Sequence, residues 1–269
     1  MEIAVLGLGW LGLPLACELK KQGIAVAGTK TAVNDSKING IPVHPFNLYD
    51  EQKYGRLWQH LNVETVVLNI PPLKNDLSLY EKLMKSLIGS GFKAGVKHVL
   101  FISTTSVYGS QGQIIESNDS TPLTKSGKVH RRIEQYLLTQ YPEQVSILRL
   151  AGLVGDDRHP IYSLSGRTEI KGGLNRVNLI HQTDVIAAIR RILTLSKWGK
   201  VFHLCADEHP TRDEYYTWAA KTLSLPQPQF SLDSTTSNKW VDATKTKEEL
   251  GLKLQYPSPF DMLCNLKSI

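Results

Sequence analysis

Glu2-Ile3-Ala4-Val5-Leu6-Gly7-Leu8-Gly9-Trp10-Leu11-Gly12 opens the chain, an apolar run that meets glycines spaced G-x-G-x-x-G. A helical pattern then runs from Leu11 to Gln22 and stops at Gly23, and Ile24 to Ala27 reads as a second strand. Strand, glycine turn, helix and strand within about thirty residues make a βαβ unit. In such a turn the first glycine permits a tight bend, and the second lets the backbone approach a pyrophosphate. The third lets the helix pack close to the strand, while the helix N-terminus faces the phosphates. The spacing alone is a weak signal; its place between strand and helix strengthens it. Gly7, Gly9, Trp10, Leu11 and Gly12 are therefore expected to cradle a dinucleotide.

The end of the second strand bears on which dinucleotide. NAD usually needs a carboxylate there for the ribose hydroxyls, and this chain has Gly28-Thr29-Lys30-Thr31. An acid would repel a 2′-phosphate, whereas a lysine and hydroxyls would hold one. The reading is NADP held by Thr29 and Lys30, with NAD as the alternative, and Lys30 as a plain solvated loop residue if neither is right.

Strand and helix alternate onward: Ile41-Pro42-Val43 or Pro45-Phe46-Asn47 for a third strand, helix at Tyr54 to Leu61, strand at Glu64 to Ile70, helix at Leu79 to Ala94. Strand Lys97 to Ser103, helix Val129 to Tyr141 and strand Val145 to Leu150 follow. Continuous apolar strands alternating with helices predict an α/β fold, a doubly wound parallel sheet of Rossmann type. After Leu150 the texture loosens. Gly152 to Gly173 reads as loop, Val177 to His181 as extended, Thr183 to Leu195 as helix, Val201 to Cys205 as strand and Asp213 to Leu223 as helix, before a tail rich in proline. The expected organisation is a dinucleotide-binding domain over 1–155 and a small C-terminal substrate lobe over 156–269, interleaved with the core around 177–205.

Composition narrows the classes. Hydrophobic content of 41% and charged content of 21% suit a globular protein, no apolar run approaches the ~18 residues of a membrane span, and no basic leader precedes the first strand. Cys17, Cys205 and Cys264 lack metal-ligand spacing, which predicts a reduced, cytoplasmic protein without a metal. The net charge of +6 comes from scattered Lys and Arg without interleaved aromatics, so no nucleic-acid partner is expected. An anionic ligand is the simpler account.

Ser103-Thr104-Thr105-Ser106-Val107-Tyr108-Gly109 closes a strand in a way that resembles the extended short-chain dehydrogenase/reductases of the NAD(P)-dependent epimerase/dehydratase family. Ile147 to Gly155, Asn178-Leu179-Ile180-His181-Gln182-Thr183-Asp184-Val185 and Pro210-Thr211-Arg212 resemble further segments of that family. The whole is most similar to its atypical, YeeZ-like subgroup. The resemblance implies a catalytic hydroxyl at Thr104 and a cofactor side that includes Ser103, Asn69 and Pro71. It also implies a Tyr-x-x-x-Lys pair, and here the chain departs from the family. Counting from Thr121-Pro122, the tyrosine falls on Ser126 and the lysine on His130. A serine does not ionise near neutral pH without a strong adjacent base. His130, one helical turn from Ser126, is one substitute acid–base group and Lys128 another; the alternative is a vestigial site with surface charges. Tyr108 is a further proton donor or a packing residue. His159 and Arg158 are placed to meet an anionic substrate, and His181 and Asp184 to tie the lobe to the core.

Two functions stay open. One is an NAD(P)-dependent oxidoreductase or epimerase/dehydratase-like enzyme acting on a small hydroxyl or nucleotide-linked compound. The other is a non-catalytic NAD(P)-binding sensor. A β-hydroxyacid dehydrogenase has a similar glycine loop, but it calls for a long all-helical C-terminal domain that the proline-rich tail does not provide. A homodimer through helices 79–94 and 129–141 is possible, though apolar helix faces also pack on sheets.

Overall fold

The computed structural model describes residues 2–72, 76–110, 112–115, 120–231 and 238–263; Cys264 lies outside them. In chain order the elements are β1 (Glu2–Leu6), α1 (Gly12–Lys21), β2 (Ala25–Lys30), β3 (Lys37–Ile38), β4 (Ile41–Pro45), α2 (Tyr54–Leu61), β5 (Thr65–Leu68), α3 (Leu77–Lys93) and β6 (His98–Thr104). They continue with β7 (Gln113–Ile114), α4 (Lys125–Gln140), β8 (Val145–Leu150), β9 (Gly152–Val154), α5 (Ile161–Leu164) and β10 (Leu179–His181). Then come α6 (Gln182–Thr194), β11 (Val201–Leu204), α7 (Arg212–Thr222), β12 (Trp240–Val241) and α8 (Thr244–Leu250).

The main sheet has the order β11-β8-β6-β5-β1-β2-β4-β3. β1 pairs in parallel with both β2 and β5, β2 with β4, and β5 with β6, while the short β3 runs antiparallel to β4. The order reverses direction at β1, whose two neighbours are β2 and β5. Ligands of open α/β sheets bind at such a switch point. β5 is buried along its whole length and β1 after Glu2, as expected of strands covered on both faces. The α/β, doubly wound Rossmann-type expectation holds.

Two compact units share the chain. One comprises residues 1–107, 124–148 and 192–202; the other comprises 108–123, 149–191 and 203–269. Residues 108–123 and 149–155 group with the second unit, and 192–202, inside the stretch expected to interleave, with the first. In the first unit Tyr54, Leu57, Trp58 and Leu61 of α2 pack with Tyr80, Leu83, Leu87 and Ile88 of α3 and with Val129, Ile133 and Leu137 of α4. The apolar rows of α3 and α4 are thus spent on the core. Gly91 admits the Trp58 ring, since a Cβ there would lie 2.9 Å from it, and the indole N–H donates to Ser90 Oγ at 2.8 Å. The second unit has its own core around Val154, Ile161, Tyr215, Ala219 and Met262, with parallel pairs β9–β10 and β7–β12.

α3 and α4 start earlier than expected because side-chain caps set them. Asp76 accepts from the Leu79 N–H at 2.8 Å ahead of α3, and Thr124 from the Gly127 N–H at 3.0 Å ahead of α4. The stretch 152–173 is not all loop: it holds β9 and α5.

Candidate functional site

The glycine turn is close-packed except at one point. Gly7 has φ +101°, and a Cβ on it would lie 2.3 Å from the Asn69 carbonyl oxygen. A Cβ on Gly12 would lie 2.1 Å from the Gly7 carbonyl oxygen. Both glycines are demanded by the protein itself. Gly9 is different: it is exposed, its φ is not positive, and a Cβ there would meet nothing within 4 Å. Only something approaching from outside needs that position bare. α1 begins behind it with Leu11 as N-cap, and neither a capping side chain nor an acid of its own first turn answers its first N–H groups. Among the residues expected to hold a dinucleotide, Gly7, Gly9, Leu11 and Gly12 form this turn, with Trp10 half-buried within it. The turn fits a pyrophosphate.

Thr29 and Asn69 serve the turn from beneath. Gly7 N–H donates to Thr29 Oγ1 at 3.1 Å, and Asn69 Nδ2 donates to the Gly7 carbonyl at 3.2 Å. Thr29 is 1% exposed. Its hydroxyl is therefore committed to the loop, a correction to its expected place on a 2′-phosphate. Gly28, which the sequence left unexplained, makes room for Leu8: a Cβ there would sit 2.5 Å from that side chain. Lys30 ends β2 half-buried, and Pro71 is exposed beyond β5.

At the end of β6, Thr104 Oγ1 lies 3.0 Å from Ser106 Oγ and accepts the Ser106 N–H at 3.1 Å. Strand alternation turns Ser103 the other way. Its hydroxyl donates to the fully buried carboxylate of Glu134 at 2.6 Å, so the Ser103 side chain is an internal tie. The first turn of α4 is pressed onto the turn Thr105–Val107, because a Cβ on Gly127 would lie 2.3 Å from the Ser106 carbonyl oxygen. The fold thereby brings Thr104, Ser106 and the half-buried Ser126 to one strand end. Ser106 was missed by sequence reasoning; its position two residues after a strand-ending threonine was the available signal.

His130 does not join them. Its Nδ1 donates to the main-chain oxygen of Ser126 at 2.9 Å, and its ring is 7% exposed beside Tyr80 and Phe101. Burial holds its pKa below the usual histidine value. The expected side-chain relay from Ser126 to His130 is not formed, and His130 is no surface charge either. Lys128, two residues away, is exposed on another face of α4.

In the second unit, Tyr108 accepts from Arg149 Nη1 at 2.8 Å and donates to His203 Nδ1 at 3.0 Å, while His203 Nε2 donates to the Asp242 carbonyl at 2.7 Å. At 2% exposure its hydroxyl is a buried structural link. His159 is also sealed. Nδ1 accepts the Ile161 N–H at 3.1 Å, Nε2 donates to the Tyr215 hydroxyl at 2.7 Å, and burial pulls its pKa down to about 4. A neutral, 5% exposed ring is not placed to meet an anionic substrate; Arg158 beside it is exposed. Asp184 accepts the Gln255 and Tyr256 N–H groups at 2.7 and 3.1 Å, tying the C-terminal segment to α6.

No helix among the described residues is long and apolar enough to cross a membrane. Among the described residues no group of His, Cys, Asp and Glu is placed to hold a metal ion.

No protein-family model matches the chain. Protein YeeZ of Escherichia coli K12 is 36% identical over 274 residues, covering 97% of this chain and 98% of that protein. The chain belongs to the YeeZ family. Among solved structures, WbmG of Bordetella bronchiseptica, in complex with NAD, superposes with a TM-score of 0.82 at 19% identity, covering 98% of this chain and 92% of that one. The UDP-glucose 4-epimerase of Thermotoga maritima, with UDP-glucose, gives 0.78 at 18%, covering 98% and 97%. A short-chain dehydrogenase/reductase superfamily protein of Agrobacterium tumefaciens with bound NAD gives 0.80 at 17%, covering 98% and 95%. At these identities the likeness is one of fold, and it agrees with the doubly wound Rossmann-type sheet of this YeeZ-family chain.

Proposed function

We propose that this YeeZ-family protein binds a nicotinamide dinucleotide on the Gly7–Gly12 turn, with NADP preferred, and acts as an oxidoreductase or epimerase/dehydratase-like enzyme. The observation that carries the reading is Gly9, the one glycine of the turn whose bareness the protein does not itself require. Leu11 and Gly12 would hold the pyrophosphate through main-chain N–H groups beside the bare Gly9, while Thr29 and Asn69 fix Gly7 beneath. No carboxylate stands in Gly28-Thr29-Lys30-Thr31 to bind an unphosphorylated ribose, which supports NADP. When bound, the nicotinamide supplies reversible hydride transfer. The chain's own part is to orient a substrate hydroxyl or carbonyl with the Thr104, Ser106 and Ser126 hydroxyls. Fold neighbours solved with UDP-glucose, one of them also with NAD, support a nucleotide-linked substrate.

A second reading, a dinucleotide-binding sensor without turnover, is favoured by one specific observation. The histidine that replaces the family's lysine is buried against Tyr80 and Phe101 and bonded to a carbonyl. Calorimetric titration with NADPH and NADH tests the shared cofactor reading, with Gly9→Asp as the control that places a carboxylate against the phosphates. Binding lost in Gly9→Asp supports it, and no binding of either nucleotide by the native protein sinks it. Nucleotide absorbance followed across a panel of nucleotide sugars and small hydroxy compounds then separates enzyme from sensor.

A further inference from the structure

A cavity of about 510 Å³ lies within the first unit, beside the outer strand β4 and α2. Its chemistry-bearing walls are Thr31, His44, Asp50, Lys53, Arg56 and His60. The single carboxylate is already answered, since Asp50 and Lys53 form an ion pair at 2.8 Å. Arg56 is exposed and has no acidic partner among the described residues. His60 Nδ1 donates to the Arg56 carbonyl at 2.7 Å, which leaves Nε2 as its outward nitrogen. The His44 and His60 rings stand 6.2 Å apart. Burial and the neighbouring His60 hold the His44 pKa below the ordinary histidine value. A guanidinium and two imidazoles gathered without a matching acid form a site that an anion would complete.

The cavity's position says which anion. Thr31 directly follows Lys30, the last residue of β2, and the β2–β4 register pairs Thr29 with His44 and Lys30 with Pro45. His44 is therefore level with the strand end at which the adenosine ribose of a dinucleotide lies in this kind of sheet. Thr29, the hydroxyl that would otherwise serve there, is committed to Gly7.

We infer that this cavity is a phosphomonoester site, formed by Arg56, His44, His60 and Thr31, whose occupant is the 2′-phosphate of a dinucleotide seated on the Gly7–Gly12 turn. The inference rests on the cofactor reading above and moves NADP recognition from the β2 turn to β4 and α2. With its pKa held low, the His44 ring meets the phosphate as a neutral hydrogen-bond donor, and Arg56 supplies the charge. Asp50 opposes the anion, while Lys53 and Arg56 favour it.

The test is calorimetry on the full chain and on Arg56→Gln and His44→Gln, titrated with NADPH, NADH, adenosine 2′-monophosphate, adenosine 5′-monophosphate and inorganic phosphate. Expected is a loss of about tenfold or more for NADPH and the 2′-monophosphate in Arg56→Gln. NADH and the 5′-monophosphate should be unchanged, and His44→Gln should weaken NADPH and the 2′-monophosphate without weakening NADH. Equal effects on NADPH and NADH in a variant that melts like the native chain would overturn the inference. Should neither dinucleotide bind while the 2′-monophosphate or inorganic phosphate still depends on Arg56, the cofactor reading and the assigned occupant both fall. The cavity would then serve a free phosphate ester.

Discussion

The three glycines of the turn look equivalent in sequence and are not. Gly7 and Gly12 are each opposed by a carbonyl within 2.3 Å of where a Cβ would sit, whereas Gly9 faces open space. Gly7→Ala should therefore cost about 2 kcal/mol or more in denaturant unfolding, from strain and positive φ together. Gly9→Ala should stay within about 0.5 kcal/mol of the native chain yet weaken nucleotide binding. Finding both variants equally stable would remove the distinction on which the site rests. Ser103 belongs at the same scale. Ser103→Ala leaves the buried Glu134 short of a donor and should destabilise by about 1–3 kcal/mol without changing nucleotide affinity. A selective loss of affinity would return Ser103 to the cofactor side.

At the scale of elements, α4 decides what the strand end of β6 can do. Its cap at Thr124 starts the helix early enough to carry Ser126 to the Thr104–Ser106 turn, and Gly127 lets the two backbones touch. Gly127→Ala should push them apart, lowering the melting temperature by several degrees and the turnover of any substrate found more than the affinity for nucleotide. His130→Gln, by contrast, should act on stability through its bond to Ser126 and leave cofactor affinity unchanged. The long α3 and α4 could be placed from apolar periodicity. Their exact starts and the short strands β3, β7 and β12 could not, because side-chain caps and two-residue pairings leave no periodic trace.

For the whole molecule the clearest consequence is pH dependence. His159, His130, His181 and His209 all have pKa values lowered, chiefly by burial. The folded state thus binds fewer protons than the unfolded one between the folded value and the ordinary value of 6.5. Stability is full above about pH 6.5 and is lost as pH falls toward about 4. For His159 alone, the drop from 6.5 to about 4 corresponds to about 3 kcal/mol. Urea midpoints measured across that range should fall with pH, and His159→Gln should flatten the slope. A pH-independent midpoint would mean that the ring is not held neutral.

By itself the sequence determined that the chain is an α/β protein of Rossmann type and that Ser126 and His130 stand where the family it resembles has a tyrosine and a lysine. Both follow from local patterns: an apolar strand, a glycine turn and a helix lie within one short stretch, and a missing residue type is visible without a structure. Only the tertiary structure decided that Thr29 supports Gly7, that Ser103 belongs to Glu134, that His130 faces the core and that His44 stands beside Arg56 and His60. Each is a meeting of residues distant in the chain. Which side of a strand or helix a polar group serves is set by what packs against it, and composition and spacing do not record that.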